Sequence, residues 1–459
     1  MFNQAMGSII QNELGGMYGT AVRRDLEEII RLYSVYDGEG QLWAAADGLD
    51  YKPSRQVTNL VKKLIKKQAR FMFSRTPELV VENPAHPDEA NQLQAYLKQT
   101  LDRAGFGAKL TRAGRDCFIG KRVAVKLWQG EDGVDVLFRP SLEFVYQPAD
   151  DEAERLEKII FFYSLNDEQE PKDQRIWKQK FEMEGGRCYL TEAVYDGNAR
   201  PVELRADHQD TGLSFIPAYV IRNDGLTGDL QGESDVAELI ANQRHYNHLK
   251  SDDADTLKFN MFPMTVVKNA SGDCLDKLRI APNAVVDLQA DEAFEPGSAG
   301  IEKLESGFAY AQAFENSINR AKNDMYDLLD IPNISLEQLK GLMQSGKSMK
   351  ALYWDLLSKS EERWQAWDAA LRWLCDGILQ LGRAAGEDLP DIEYTLRIEH
   401  LYPILEDEEA ERAMDLQEVA AGVRSRKNYM EKWNISTDGD AELRQVDREG
   451  MREPDGSLA

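Results

Sequence analysis

The chain has 459 residues, of which 42% are hydrophobic and 29% charged, and its formal net charge is −25. This length is too great for one ordinary hydrophobic core, so two to four sub-domains are expected. The acidic balance argues against gripping nucleic acid by phosphate neutralisation, although like charge would let the protein enclose DNA without adhering. The four cysteines form no CxxC pair, which argues against a zinc site or a disulfide framework. We also expect no signal peptide and no membrane span, because neither pattern occurs.

The first half of the chain predicts helices followed by an antiparallel sheet. Helices are expected over 20–36, 54–74 and 87–104, with an edge-like strand at 76–83. Between 121 and 220 apolar residues alternate with polar ones, and Gln129–Gly133 forms a predicted hairpin turn. Residues 1–230 therefore read as an α+β domain. The predicted helix 54–74 has a basic outer face, which favours either a surface for DNA, a partner or a membrane, or simply a solvated face: Arg55, Lys62, Lys63, Lys66, Lys67 and Arg70.

Long helices dominate the second half. A helix is predicted from Ser234 to about Lys258, and a small β unit pairs Met264–Asn269 with Ala284–Leu288. A stripe of apolar residues from Ile301 to Leu328, spaced by threes and fours, predicts a second helix that ends before Pro332. A third and longer helix begins near Ser348. The remaining elements are a strand at 391–401, which is expected to return to the N-terminal sheet, and helices at 405–421 and 424–433.

One motif resembles a nucleotide-binding loop. Gly341–Ser348 matches G-x-x-x-x-G-K-[ST], in which backbone amides cradle phosphates and the lysine reaches their oxygens. Such a loop requires a buried strand directly before it, whereas Ser335 and Gln338 form a capping box typical of a helix start. A P-loop NTPase therefore remains an alternative function, and a glycine-containing loop before a long helix is the structural reading.

No other group of residues predicts catalysis. His245 and His248 share a helix face, but no third ligand is evident, so a polar stripe against a neighbouring helix is expected. The cysteines have no adjacent base. Trp364 and Trp367 lie on a stripe that indicates core or subunit packing. We predict no enzymatic activity and no cofactor.

The order of elements resembles the portal protein of tailed bacteriophages and prophages. Three stretches carry this resemblance: a basic helix leading through an aromatic residue and a proline into a strand (55–83), a strand leading through Gly-Glu-Ser-Asp into a helix (216–255), and a helix, loop and long helix (327–367). The resemblance implies an α+β portal architecture with an α/β wing, a two-helix stem, a small α/β clip, a long wing helix and a helical crown. The implied boundaries are 1–230 for the wing, 231–258 for stem helix 1, 259–300 for the clip, 301–329 for stem helix 2, 330–347 for the tunnel loop, 348–403 for the long helix and return strand, and 404–459 for the crown and polar tail.

The resemblance also implies a function. Such proteins form rings, usually of twelve subunits, at one capsid vertex of the virion, after assembly in the host cytoplasm. Double-stranded DNA passes through the channel, the terminase large subunit docks at the clip, and a head-completion adaptor replaces it. Scaffolding and major capsid proteins are further implied partners. A helical adaptor protein without a role in DNA transport is the other alternative.

Two sets of residues are expected to act in this function. Neutral and basic residues in an otherwise acidic chain predict a tunnel loop that meets the DNA backbone: Gln338, Lys340, Gln344, Ser345 and Lys347. Polar residues of the clip are expected to contact the motor: Ser271, Asp273 and Lys277. We further predict that Trp367 and Leu371 hold neighbouring subunits together.

Overall fold

The computed structural model describes residues 4–41, 43, 51–149, 152, 155–166, 170, 173–261, 264–270, 295, 300–304, 310–334, 350–404, 408–433 and 444. The chain forms two compact units, each built from two stretches of sequence. The first unit comprises Met1–Ile331 and Lys359–Leu401, and the second comprises Pro332–Ser358 and Tyr402–Ala459. Helices and antiparallel sheets are both present, which confirms the predicted α+β class.

Helices occupy most of the N-terminal part of the first unit. The expected helices at 20–36 and 87–104 are confirmed, whereas the one predicted from residue 54 begins only at Leu60. Asn59 fixes that start, because its side chain accepts the Lys62 N–H at 2.8 Å as an N-cap. The helices are α1 (Gln4–Leu14), α2 (Gly16–Asp37), α3 (Leu60–Phe73), α4 (Pro87–Arg103) and α5 (Phe106–Gly120).

Helix α5 was not predicted, and it lies in the core. It packs against α3 at Gly114, where an added Cβ would lie 2.2 Å from the Phe73 ring. The two helices therefore approach more closely than any residue with a side chain would permit. Its buried residues include Leu110, Cys117 and Phe118.

Two antiparallel sheets follow. One has the strand order β3-β2-β9 and contains the predicted hairpin, with Val125 opposite Phe138. The other has the order β4-β5-β6-β7-β8, and its first and last strands were not predicted. The sheets share a core that includes Ala124, Phe161 and Trp177. The strands are β2 (Arg122–Gly130), β3 (Gly133–Pro140), β4 (Phe144–Pro148), β5 (Leu156–Ser164), β6 (Ile176–Glu184), β7 (Arg187–Tyr195), β8 (Pro201–Asp210) and β9 (Ala218–Arg222), and β1 (Glu78–Glu82) precedes them.

The central helices follow the sheets, with a correction to the second one. Helix α6 (Asp235–Met261) is confirmed. The predicted helical stripe beginning at Ile301 is wrong at its start, because 300–304 form a strand, β11 (Gly300–Leu304), that pairs antiparallel with β10 (Met264–Lys268). Pairing with β10 satisfies the backbone N–H and C=O groups of Gly300–Leu304. The helical spacing of the apolar side chains gave no sign of this distant partner. Helix α7 (Ala311–Asp327) follows and packs against α6. Ala284–Leu288, the predicted partner strand, lies outside the described residues.

The long helix α8 (Trp354–Ala384) contributes the aromatic centre of the first unit from Lys359 onward. The ring centroids of Phe73 and Trp367 are 4.7 Å apart, and Trp364 stacks on His400 at 4.3 Å. Trp367 is 1% exposed and Leu371 is 2% exposed. The prediction that these two residues hold neighbouring subunits together is therefore wrong, because their helix face is already covered by the same chain.

The strand predicted at 391–401 is shorter, β12 (Thr395–Glu399), and pairs antiparallel with β1. It thus returns to the N-terminal half, in a separate two-stranded sheet.

The second unit contains helices α9 (Glu408–Ala420) and α10 (Arg426–Lys432), close to their predicted positions. Asp415 receives hydrogen bonds from Lys432 and Trp433 at 2.8 and 3.0 Å and pairs with Arg424 at 2.9 Å. The hydrogen bond from Lys432 makes the largest contribution to lowering the pKa of Asp415.

Candidate functional site: the anchored helix α6

Helix α6 has a buried face that is polar rather than apolar. Gln243, Asn247, Ser251 and Asp255 recur every four residues and therefore lie on one side of the helix. Each of them accepts backbone N–H groups from residues 54–61, which comprise a non-helical stretch and the first two residues of α3. The donors and distances are Ser54 to Asp255 at 2.9 and 3.0 Å, Gln56 to Ser251 at 3.0 Å, Thr58 to Asn247 at 3.0 Å, and Leu60 and Val61 to Gln243 at 2.9 and 3.1 Å.

These hydrogen bonds form a ladder between α6 and residues 54–61. Its regular spacing follows from the geometry of a helix and an extended chain. Four residues of an α-helix advance by about 6.0 Å, and two residues of an extended chain advance by about 6.6 Å. Alternate amides of the segment can thus each meet one helical side chain, as they would meet a neighbouring strand. Gln243 also returns a bond from Nε2 to the Thr58 carbonyl at 2.9 Å. The Oε1 atom of Gln243 accepts from the amides of Leu60 and Val61. These amides lie in the first turn of α3 and therefore have no acceptor within their own helix.

The rung of the ladder formed by Asp255 carries a charge. Removal of the Asp255 carboxylate from water opposes its ionisation, but hydrogen bonds from Ser54 and Lys258 prevail and lower its pKa. Lys258 lies 3.1 Å from this carboxylate and also donates to the Ser54 hydroxyl. This rung is therefore a charge-assisted bond, the stronger kind.

The N-terminus of α6 is anchored separately. Asp235 Oδ1 accepts from Arg363 of α8 at 2.7 Å and from Asn223 at 3.3 Å. The amide of Gln68 completes the cluster when its nitrogen faces Asp235, at 2.9 Å, and its oxygen faces Arg363, at 2.5 Å. The Arg363 guanidinium lies 4.5 Å from the centroid of the Phe118 ring. A carboxylate at a helix N-terminus is also favoured by the helix dipole. One buried cluster thus joins α3, α5, α6 and α8.

Residues 20–454 match a family of known proteins, described as "Phage portal protein, SPP1 Gp6-like". The chain belongs to this family. The match extends over nearly the full length and includes helix α6 with its anchors and residues of both units.

Other comparisons add little to what the family match shows about this portal protein. No curated protein matches its sequence. Solved structures resemble it weakly: a chain of "Virion of native gene transfer agent (GTA) particle" is 13% identical with a TM-score of 0.46, covering 88% of this chain and 92% of that one. A chain of "Neck of empty GTA particle computed with C6 symmetry" is also 13% identical, with a TM-score of 0.45, covering 89% and 92%. Similarity at this level leaves function unaddressed.

The residues predicted from the sequence for the tunnel loop, the clip and the nucleotide-binding loop all lie outside the described residues. This holds for Gln338, Lys340, Gln344, Ser345 and Lys347, for Ser271, Asp273 and Lys277, and for the motif Gly341–Ser348. Their proposed roles stay predictions. Conversely, the ladder escaped sequence reasoning, although its signal was present as four polar residues at a spacing of four.

The described thiols of the portal protein lie in surroundings that disfavour the reactive thiolate. Cys117, Cys188 and Cys375 are buried. Burial is the main cause that raises the pKa of Cys117, that of Cys188 to about 11 and that of Cys375 to about 12. They are therefore protonated at neutral pH.

One described group has metal-ligating side chains close together. Ligand atoms of Glu182, Glu184 and His208 lie within 4.8 Å of one another. However, the Lys180 ammonium already lies 2.5 Å from Glu182, and the two ring nitrogens of His208 face different carboxylates. This arrangement indicates an ion-pair network. His245 and His248 join no such group among the described residues, and the His248 ring instead meets the edge of Trp43.

No helix within the described ranges is both long and apolar enough to span a bilayer.

Proposed function

We propose that this protein assembles into a ring at one vertex of a phage capsid and forms the channel through which double-stranded DNA is packaged and later leaves. The observation that carries the proposal is the match of residues 20–454 to the portal family. The acidic chain agrees with this role. A ring of twelve copies would carry a formal charge near −300 (12 × −25), so that DNA slides rather than adheres.

In this proposal the anchored helix α6 and its neighbour α7 are the stem, and residues 1–230 with the long helix are the wing. The clip lies between the stem helices and includes the β10–β11 pair, so it extends to residue 304 instead of 300. The crown is 404–459. The ladder and the Asp235 cluster support a mechanical role for α6, because they tie it to the wing along its length and at its end.

The clip is proposed to dock the terminase large subunit and then a head-completion adaptor, through Ser271, Asp273 and Lys277. Scaffolding and major capsid proteins would contact other faces of the ring. The tunnel loop, 330–347, is proposed to meet DNA through Lys340 and Lys347. Changing both lysines to Glu should leave rings intact and impair DNA packaging or retention, and unaltered packaging would remove the loop's electrostatic role.

The ring itself is tested with the purified chain. Negative-stain images should show rings with a central hole, and mass measurement should give about 624 kDa for twelve copies (12 × 52.0 kDa). A chain that remains monomeric at high concentration would contradict the proposal. Hydrolysis of ATP by that monomer would favour the P-loop alternative instead.

A further inference from the structure

Side chains from neighbouring helices bond to backbone groups of three edge strands, β1, β3 and β12. The bonds are Gln94 with the Val81 N–H and the Leu79 carbonyl at 2.7 Å, Arg103 with the Val134 carbonyl at 2.9 Å, Lys109 with the Val136 carbonyl at 2.8 Å, and Arg372 with the Leu396 carbonyl at 2.6 Å. An edge with free backbone groups is a template for pairing with another chain. These side chains therefore close three possible docking edges.

Strand β8 is an edge strand without such caps. It is the last strand of the five-stranded sheet, and among the described strands it pairs only with β7. Within the described part of the chain, no helix side chain bonds to the backbone of residues 201–210. The N–H and C=O groups on its outer side are therefore open to a further strand.

Strand β8 also buries almost none of its surface. Nine of its ten residues are exposed, among them Val202 at 52% and Leu204 at 60%. Its charged side chains and the register shifts in its pairing with β7 discourage indiscriminate pairing. Protection alone is more usually achieved with a short or covered edge. A ten-residue edge with exposed apolar side chains therefore indicates a selective partner.

The charges on β8 select the chemistry of that partner. The strand has a net charge of −2 (1 − 3), which comes from Arg205 against Glu203, Asp207 and Asp210. Arg205 is already paired with Glu203 at 2.9 Å and with Glu192 of β7 at 3.4 Å. Opposite charges on paired strands stabilise the pair, and like charges destabilise it. Basic side chains opposite Glu203 and Asp207 are therefore favoured.

A second copy of this chain is a poor source of such a strand. Its edges at β1, β3 and β12 are capped, and its net charge is −25. Two β8 edges could pair only as an isologous contact, which does not join successive subunits of a cyclic ring.

We propose that β8 binds an extended segment of a different protein, in which apolar residues alternate with Lys or Arg. The segment adds to the five-stranded sheet as a sixth strand. Hydrogen bonds between the two main chains supply affinity, and the alternating side chains supply specificity. The edge is complete within a single chain, so this inference does not rest on the proposed channel.

The test uses the full-length protein and a fluorescein-labelled probe peptide, Thr-Lys-Val-Glu-Val-Lys-Val-Thr. In an antiparallel arrangement its lysines lie opposite Asp207 and Glu203, and its glutamate lies opposite Arg205. Binding measured by anisotropy should saturate. Hydrogen exchange followed by mass spectrometry should then show slower exchange over residues 201–210 when the probe is bound.

Two N-methylated forms of the probe separate strand addition from side-chain contact. Successive amides of an extended chain point to opposite edges, so methylation of every second residue blocks one edge only. Methylation of the set that faces β8 should abolish binding, and methylation of the other set should leave binding nearly unchanged.

Glu203→Lys/Leu204→Lys is the matching change in the protein. It places like charge opposite the probe and removes an apolar contact, so binding should weaken by about fivefold or more. Both side chains are exposed, which keeps the risk to folding low. The control Glu131→Lys/Leu226→Lys makes the same change of charge and hydrophobicity at exposed positions elsewhere and should bind like the wild type.

Several results would overturn the inference. Absence of saturable binding at millimolar probe would show that the edge of β8 is not open. Wild-type affinity in Glu203→Lys/Leu204→Lys, or an equal effect of the two methylated sets, would exclude strand addition at this edge. Slow exchange over residues 201–210 in the assembled protein before any probe is added would assign the edge to a neighbouring subunit instead.

Discussion

Arg363 and Asp235 are 128 positions apart in the sequence, and the Arg363 Nη2 atom donates to Asp235 Oδ1 at 2.7 Å. Each side chain is 6% exposed. Buried ion pairs add little net stability compared with apolar packing, but removal of one partner leaves an uncompensated charge in the core. The pair therefore fixes the position of α6 more than it stabilises the fold.

Asp235→Ala should consequently lower the free energy of unfolding by about 3–5 kcal/mol. The double variant Asp235→Leu/Arg363→Met should lose less than the sum of the two single variants, as measured by urea denaturation. The exposed pair of Arg23 and Glu27 is the control, and Glu27→Ala should cost no more than about 0.5 kcal/mol. Additive single effects would contradict a coupled pair.

The ladder predicts a local change in protection. Asn247→Leu removes the acceptor for the Thr58 N–H and should destabilise by about 1–3 kcal/mol, because the amide is left unsatisfied. Hydrogen exchange followed by mass spectrometry should show faster exchange in the peptide that covers 54–61. Asn242→Leu, on the same helix but half-exposed, is the control and should leave this peptide unchanged. Equal exchange in both variants would show that the ladder does not hold the segment.

The buried side chain of Lys126 predicts that the free energy of unfolding depends on pH. It is 3% exposed between the two sheets, among the rings of Trp128, Phe161, Trp177 and Phe181, and donates to Gln179. Burial, followed by the charge of Arg139, lowers its pKa to about 7, and Glu192 acts in the opposite direction. The folded pKa lies below the unfolded one, so folding releases a proton between these values. Lys126 should therefore make stability rise between about pH 7 and pH 10, by at most about 1.4 kcal/mol per pH unit.

Lys126→Met isolates this contribution. Its free energy of unfolding should exceed that of the wild type at pH 7, and the difference should shrink as the pH rises to 9. A difference that is constant across this range would show that Lys126 does not titrate there.

Trp367 is expected to act on folding, not on assembly. Trp367→Ala should cost about 3–5 kcal/mol, because it removes a fully buried aromatic residue. Trp354 begins the same helix but is 66% exposed, so Trp354→Ala should change thermal unfolding very little. If Trp367→Ala unfolds like the wild type and yet prevents ring formation, Trp367 would have to be a contact between subunits after all.

Local patterns allowed much of this fold to be predicted. The alternation at Val123, Val125 and Leu127 and the glycine turn at Gly133 specify a hairpin without help from the rest of the chain. Helix α6 was predicted from Ser234 to about Lys258, close to its observed bounds, although its buried face is polar.

The errors share a cause in distant partners. Val57 continues the apolar spacing of α3, so residues 54–59 were predicted as part of that helix, but the amides of Ser54, Gln56 and Thr58 are instead held by side chains 189 to 201 positions away. Gly300–Leu304 has a helical spacing but pairs with a strand more than 30 positions earlier. Neither partner is visible in a local window. Since each segment has a second conformation that satisfies its backbone equally well, propensity alone did not decide between them.

The contact between Phe73 and Trp367 also bears on synthesis by the ribosome. The two residues are separated by 294 positions (367 − 73), which take roughly 15–60 s to translate at about 5–20 residues per second. During this interval α3 and α5 have left the ribosome, but Trp364 and Trp367, which pack against Phe73, have not yet been made. Strand β12, the partner of β1, is synthesised later still. Each nascent subunit therefore exposes part of its future interior until more than four-fifths of the chain has been made. A cell producing many copies at once must keep these unfinished chains apart, so chaperone supply becomes a condition for the yield of completed particles.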